Sequence, residues 1–188
     1  MSHHSEHCRA CKERVFELLR AIYGDCRTNQ QFPWPAQPEA YVNTAIGDAL
    51  QRIRIALGDL RGHRDFIKTA QMPPCDYFVV DPPFILEFDE NQHFSRPRLV
   101  TLSSYPANLN LGYAISRWQD LCREIGAVDD MPFDRDERRA WYDTLRDLVP
   151  ALHGFKPTVR LCAGELEWCS LDTAKPADLA AFRQLIGI

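Results

Sequence analysis

Two short runs of β-branched and aromatic residues, joined by a proline-containing turn, constrain the fold of this chain most strongly. The runs are Asp76–Val80 and Phe84–Asp89, and residues 81–83 between them read Asp-Pro-Pro. Runs of this composition favour strands, and a polar, proline-rich connection of three residues favours a reversal of the chain. We therefore predict an antiparallel hairpin over residues 76–89.

Segments with helical periodicity surround the hairpin on both sides. The clearest is Glu39–Leu60, where apolar residues recur at the three- and four-residue spacing of one helix face. Helices before and after a cluster of strands indicate an α/β or α+β fold. The other predicted elements are helices at Cys8–Tyr23, Leu109–Ile125, Asp134–Val149 and Pro176–Ile186, strands at Asp65–Ala70, Thr158–Cys162 and Leu166–Cys169, and irregular segments at Asn29–Pro38 and Asn91–Pro106.

The chain of 188 residues contains no linker or repeat that divides it, so we predict a single domain. Residues 1–62 supply N-terminal helices, residues 63–170 the core and residues 171–188 a C-terminal helix. No apolar stretch approaches the roughly 20 residues of a membrane span, and the N-terminus has no apolar signal core. These features predict a cytoplasmic protein with no membrane partner, and they leave the oligomeric state open. The formal net charge of -4 argues against binding nucleic acid by bulk positive charge, although a locally basic cleft is compatible with it.

Acidic residues converge on one face of the predicted hairpin. If the chain reverses at Asp81-Pro82, Asp76 lies opposite Glu87, at a Cβ separation of roughly 5 Å. Asp89 points to the same face as Glu87, because side chains two residues apart on a strand share a face. Carboxylates this close repel one another unless a cation lies between them, and Mg²⁺ or Mn²⁺ is the usual choice for oxygen ligands. In the alternative, these acids are solvent-exposed strand ends, and a slip of one residue in the turn removes the convergence.

The acids belong to a longer motif. It begins with Pro74–Asp76, continues with Glu87 and Asp89 at the end of the second strand, and closes with Gln92-His93. The pattern resembles the PD-(D/E)XK superfamily of nucleases, also called the restriction-endonuclease-like fold. It is especially similar to the very-short-patch-repair-like group, whose strand ends in Ile-Glu-x-Asp-Gly-x-x-His. Asp89 stands where the superfamily usually has Lys, as it does in that group, and Glu90 replaces the group's Gly.

The resemblance implies a fold, an activity and a set of site residues. The fold is a mixed sheet flanked by helices, with residues 134–162 as the closing helix and strand. The activity is metal-dependent hydrolysis of DNA phosphodiester bonds. The resemblance assigns Asp76, Glu87 and Asp89 to Mg²⁺ or Mn²⁺, and Gln92 and His93 to the attacking water. In the alternative function, the chain keeps this fold without catalysis, as a binding or interaction module, which its acidic charge and the missing Lys would favour.

Two further features carry chemistry. Cys8-x-x-Cys11 is half of a zinc site, preceded by His3, His4 and His7. Completion would need Cys26 or His7, and with half a site visible we expect no stoichiometric zinc, although a zinc-stabilised adaptor remains a third possibility. The charged run from Asp134 to Arg139 is typical of a solvated first helical turn. Alternatively, Arg135 or Arg138 contacts phosphate, or Arg138 forms a salt bridge to the acidic patch.

Overall fold

A computed structural model describes residues 8–187, which form six α-helices and a four-stranded sheet. The histidines that precede the Cys8-x-x-Cys11 half-site, His3, His4 and His7, lie outside the described residues. The helices are α1 (Arg9–Tyr23), α2 (Gly47–Arg61), α3 (Arg96–Ser103), α4 (Ile115–Ile125), α5 (Arg135–Leu152) and α6 (Pro176–Ile186). The strands are β1 (Cys26–Gln30), β2 (Cys75–Val79), β3 (Phe84–Asp89) and β4 (Val159–Cys162).

The sheet is mixed, with the order β1-β2-β3-β4. The strands β1, β2 and β3 run antiparallel to their neighbours, and β4 runs parallel to β3. Tyr77 pairs with Leu86 and Val79 with Phe84, which is the register predicted for a turn at residues 81–83. The predicted hairpin is therefore confirmed, and Asp76 and Glu87 lie at the next opposed position of this register.

Helices cover both faces of the sheet, because the strands carry apolar side chains on each. Leu86 and Phe88 pack with apolar residues of α1 and α6. Ile85 belongs to the other face, which packs against α5, and α2 packs in turn against α5. Glu87 and Asp89 share this second face with Ile85, as strand alternation predicts. The acids of β3 are thus directed towards α5 rather than into solvent, and both are almost completely buried.

Five predicted elements differ from the structure. The helix predicted at Leu109–Ile125 begins only at Ile115, because the chain before it is irregular and approaches the Thr158 backbone closely at Gly112. The predicted helix at Glu39–Leu60 is divided into a 3-10 turn at Pro38–Tyr41 and α2, because this turn folds back onto Gly47, where a Cβ atom would lie 2.3 Å from the Tyr41 carbonyl oxygen. The segment predicted to be irregular at Asn91–Pro106 contains α3, whose N-cap Ser95 accepts a hydrogen bond from the Arg98 backbone. The predicted strands at Asp65–Ala70 and Leu166–Cys169 are, respectively, an irregular segment and a region containing a 3-10 turn at Trp168–Ser170.

The sequence analysis missed β1, whose residues are predominantly polar. Its sequence is Cys-Arg-Thr-Asn-Gln, and its three central residues are exposed. An edge strand of this kind shows no alternation of apolar and polar residues, so its pattern gives no strand signal. Backbone pairing with β2 defines it instead. In the described part of the chain, no helix is long and apolar enough to cross a membrane.

The buried stripe of α2 supports a stability prediction with an internal control. Ile53 is fully buried in the apolar cluster that α2 shares with α5, whereas Ile55 on the same helix is 55% exposed. We expect Ile53→Ala to lower the free energy of unfolding by about 3 kcal/mol, because it removes buried methyl groups and leaves a cavity. Ile55→Ala should change it by less than about 0.5 kcal/mol. Urea denaturation of both variants measures the difference, and equal effects would show that this helix face is not core.

Candidate functional site

A cavity of about 340 Å³ opens where β2 and β3 meet α5 and the first turn of α1. It combines acidic side chains from the strands with basic side chains from the helices. Of the predicted site residues, Asp76, Glu87, Gln92 and His93 line it. The residues that complete its lining are Lys12, Pro73, Pro74, Glu90, Arg135, Arg138, Arg139, Tyr142 and Arg146.

Asp76 and Glu87 are tied to each other across the two strands. The Asp76 backbone N–H donates to Oε1 of Glu87 at 3.3 Å, and the Phe88 backbone N–H donates to Oδ2 of Asp76 at 2.9 Å. Each carboxylate therefore uses one oxygen to bind the opposite strand and has a second oxygen available. This fixes two carboxylates on one wall of the cavity, as the register predicted.

Glu87 is a buried acid whose charge is incompletely balanced. Burial raises the pKa of its carboxyl group to about 8, although the charge of Arg146 opposes this shift. Nε of Arg146 lies 3.4 Å from Oε1 of Glu87, and this buried Nε has no hydrogen-bond partner among the described residues. A divalent cation beside Glu87 and Asp76 would offset the cost of ionising Glu87, and two carboxylates are the hard oxygen ligands that Mg²⁺ and Mn²⁺ take. The pair therefore fits the predicted metal.

The structure places Asp89 away from this pair. Nη1 of Arg160 donates to both oxygens of Asp89, at 2.7 and 3.0 Å, and the indole N–H of Trp118 donates to Oδ2 at 2.7 Å. Asp89 is 1% exposed and is not part of the cavity lining. Both of its oxygens are thus already bonded to buried donors. The three-acid cluster predicted from the sequence is not assembled, and the structure brings together only Asp76 and Glu87.

His93 lines the cavity and is held from behind by an aspartate. Its Nδ1–H donates to Oδ2 of Asp143 at 2.9 Å, and Oδ1 of Asp89 lies 3.5 Å from the same nitrogen. Burial lowers the pKa of His93, but the charge and the hydrogen bond of Asp143 outweigh it and raise the pKa above its ordinary value. The arrangement favours an imidazolium that can give up a proton at the cavity.

The grouping of Asp89, His93 and Asp143 has the compactness of a metal site, since their ligand atoms lie within 4.8 Å of one another. Its charge is already neutralised, however. Arg160 bonds Asp89 directly, and its Nη2 lies 3.5 Å from Oδ1 of Asp143. A guanidinium in this position disfavours a metal cation. The two carboxylates of this grouping therefore serve to position the His93 ring and to stabilise its charge.

A buried polar network extends from this point beneath the cavity. Arg160 donates to Oδ1 of Asp147 at 2.8 Å, and Arg98 donates to Oδ2 of the same carboxylate at 2.7 Å. The hydroxyl groups of Tyr105 and Tyr113 donate to that oxygen as well. The network joins α3, α5, β4 and the segment before α4, and it fixes the helix that carries the cavity's arginines.

Basic side chains form the opposite wall of the cavity. Arg135, Arg138, Arg139 and Arg146 all lie on α5. Arg138 binds Asp134 at 2.5 Å, so the predicted salt bridge from Arg138 to the acidic patch is not formed. Its Nε is buried and has no hydrogen-bond partner among the described residues. Nε of Arg138 and Nε of Arg146 are thus the two buried guanidinium nitrogens that lack a hydrogen-bond partner among the described residues.

The resembled motif usually has a lysine at the position that Asp89 occupies here. In this structure a lysine reaches the cavity from α1 instead. Lys12 lies on the first turn of α1, and its Nζ is 3.6 Å from Oε2 of Glu90. Oε2 of Glu90 also accepts a hydrogen bond from the Gln92 side chain at 2.8 Å. Gln92 is therefore oriented by Glu90, the residue that replaces glycine in the resembled motif. No local pattern links residue 12 to residues 87–92, so the sequence analysis missed Lys12.

Comparison of the chain with protein-family models, with curated proteins and with solved structures finds no match.

Proposed function

We propose that the protein is a metal-dependent nuclease that hydrolyses DNA phosphodiester bonds, with Asp76 and Glu87 holding Mg²⁺ or Mn²⁺. One observation carries this proposal: a single cavity presents two paired carboxylates on one wall and four arginines on the other. The carboxylates suit a divalent cation, and guanidinium groups suit the geometry of phosphate. A phosphodiester backbone is a ligand that needs both.

The arrangement of the chain supports a restriction-endonuclease-like core. The paired acids lie on adjacent antiparallel strands, α5 crosses the face that carries them, and β4 then joins the sheet parallel to β3. The resemblance implies a mixed sheet with a closing helix and strand, so this order of elements supports the proposed core. The helices α2, α3 and α4 are not part of the proposed restriction-endonuclease-like core and are additional to it.

In the proposed reaction, different side chains of the cavity bind the phosphate group and supply the proton. A water oxygen attacks phosphorus and releases a proton to solvent. The bond from phosphorus to the leaving deoxyribose oxygen breaks, and that oxygen takes up a proton. When bound, the metal supplies charge to stabilise the phosphoryl oxygens and lowers the pKa of water. Arg138 and Arg146, which line the cavity, orient the phosphate group through their guanidinium groups. His93, held by Asp143, donates the proton to the leaving oxygen.

A cleavage assay tests the proposal. Supercoiled plasmid and single-stranded DNA are incubated with the purified chain in Mg²⁺, in Mn²⁺ and in EDTA. We expect nicking or linearisation in at least one metal and none in EDTA. The alternative function, a nuclease-fold module that binds without cutting, is favoured by the engagement of Asp89 with Arg160 at the position of the usual Lys. It predicts DNA binding that EDTA leaves unchanged and no cleavage in either metal.

Substitution of Lys12 tests whether the lysine that α1 contributes to the cavity takes part in the proposed reaction. We expect Lys12→Met to reduce the cleavage rate by about 10²-fold, because it removes the one ammonium group that lines the cavity within the described residues. Binding of Mn²⁺ should be unchanged, since Lys12 faces Glu90 rather than the acid pair. Lys175→Met is the matched control, because Lys175 is an exposed lysine that pairs with Asp172 at the start of α6. Equal rates for the two variants would exclude Lys12 from the reaction.

A further inference from the structure

Three cysteine thiols meet on the side of the sheet opposite the cavity's helix α5. Cys8 caps the N-terminus of α1, Cys11 lies in its first turn, and Cys169 lies in the 3-10 turn after β4. The three Sγ atoms are within 4.8 Å of one another. Cys26, which the sequence analysis considered as a completing ligand, follows the far end of α1 and is not in this cluster.

We propose that Cys8, Cys11 and Cys169 form a zinc-binding site that joins the start of α1 to the turn after β4. Three thiolates around one Zn²⁺, at about 2.3 Å each, lie roughly 3.8 Å apart in tetrahedral geometry, so the observed spacing needs only small rotamer adjustments. Thiolate ligands select zinc over the hard cations that suit Asp76 and Glu87. The site is therefore distinct from the proposed catalytic one.

The backbone around the thiols is already arranged for such a site. The Cys11 backbone N–H donates to Sγ of Cys8 at 3.3 Å, an interaction that favours the thiolate. On the other side, Trp168 is buried against Phe88 and Phe182, and its indole N–H donates to the Cys162 carbonyl oxygen at 3.1 Å. Cys169 is thus presented by a turn that is anchored to the end of β4.

The exposure of the three cysteines also fits a metal site. Cys11 is buried, whereas Cys8 and Cys169 are half-buried, so an ion can reach the cluster from the surface. All seven cysteines lie in the described residues, and no disulfide joins any two of them. A redox pair would use two thiols and leave the third unexplained, whereas a tetrahedral metal uses all three.

This inference reverses the expectation of no zinc, and the reason is physical. The expectation counted the ligands near Cys8 and Cys11 in the sequence, and the third ligand comes from the far end of the chain. The site would also fix the helical turn from which Lys12 enters the cavity.

Zinc analysis of untagged protein after gel filtration tests the proposal. We expect about one zinc per chain in the wild type and none in Cys169→Ser. Cys26→Ser is the matched control and should keep its zinc, because Cys26 is equally half-buried but outside the cluster. Glu87→Gln should keep its zinc as well, whatever happens to DNA cleavage, so the zinc site and the proposed nuclease function can fail separately.

Cobalt substitution of the wild type gives an answer that does not depend on how the variants fold. Three thiolates bound to Co²⁺ produce an intense thiolate-to-metal absorption in the near ultraviolet together with the visible bands of a tetrahedral ion. Both features should disappear when zinc displaces the cobalt. A wild type that retains no zinc and shows no such absorption would overturn the proposal. Equal zinc contents in Cys169→Ser and Cys26→Ser would do so too.

Discussion

Glu87→Gln is expected to reduce metal-dependent DNA cleavage by a factor on the order of 10³, equivalent to about 4 kcal/mol of transition-state stabilisation. The substitution preserves shape but removes one of the two carboxylate charges that would hold the proposed cation across the hairpin register. The metal-free protein should keep or gain thermal stability, because burial disfavours the carboxylate, as its raised pKa indicates. Loss of activity without loss of folding is the signature of a functional acid.

The matched control for this prediction is Glu124→Gln on α4. Glu124 is an exposed glutamate outside the cavity, and its substitution should leave both cleavage and thermal stability unchanged. Initial rates of plasmid nicking and thermal melts without metal are measured on the wild type and both variants. Glu87→Gln with the wild-type rate would remove this residue from the mechanism.

Asp89→Ala is expected to act on stability instead, lowering the free energy of unfolding by about 4 kcal/mol. Asp89 is 1% exposed and accepts three hydrogen bonds, two from Arg160 and one from Trp118. Its removal leaves the buried guanidinium of Arg160 with less compensating charge and the indole N–H without its acceptor. Because Asp89 is not in the cavity lining, the loss should be the same with and without Mg²⁺.

An exposed ion pair provides the comparison for Asp89. Asp120 accepts a hydrogen bond from Arg123 at 2.6 Å, but both side chains are 55% exposed. Asp120→Ala should therefore cost less than about 1 kcal/mol. Urea denaturation of the two variants in EDTA and in Mg²⁺ gives the four values needed. A loss for Asp89→Ala that appears only in Mg²⁺ would make Asp89 a metal ligand, as the motif implied.

The part of the site that the sequence predicted depends on local pattern. The turn at residues 81–83 sets the register, and the register sets Asp76 opposite Glu87. The alternation along β3 then assigns Glu87 and Asp89 to one face. Each step uses residues fewer than about 15 positions apart, a range in which strand geometry is regular. The helices α1, α5 and α6 were predicted for the same reason, since each carries its own apolar stripe.

The missed features depend on partners far away in the sequence. The role of Asp89 follows from Arg160, which lies 71 residues later on the neighbouring strand β4. Asp143 and Arg146 belong to a polar stripe of α5 that, taken alone, is typical of a solvated helix face. That stripe is buried because the acids of β3 face it. Lys12 likewise reaches the cavity only because α1 packs against the sheet. Cys169 reaches Cys8 and Cys11 only because the turn after β4 packs against the start of α1.

Titration calorimetry with Mn²⁺ tests most directly whether the Asp76–Glu87 pair is a metal site. The wild type and the double variant Asp76→Asn/Glu87→Gln are titrated under identical conditions, with Glu124→Gln as the control. We predict one Mn²⁺ site in the wild type and in Glu124→Gln, and its loss from the double variant. Mn²⁺ binding of equal affinity in the wild type and the double variant would place the cation elsewhere and contradict the proposed site.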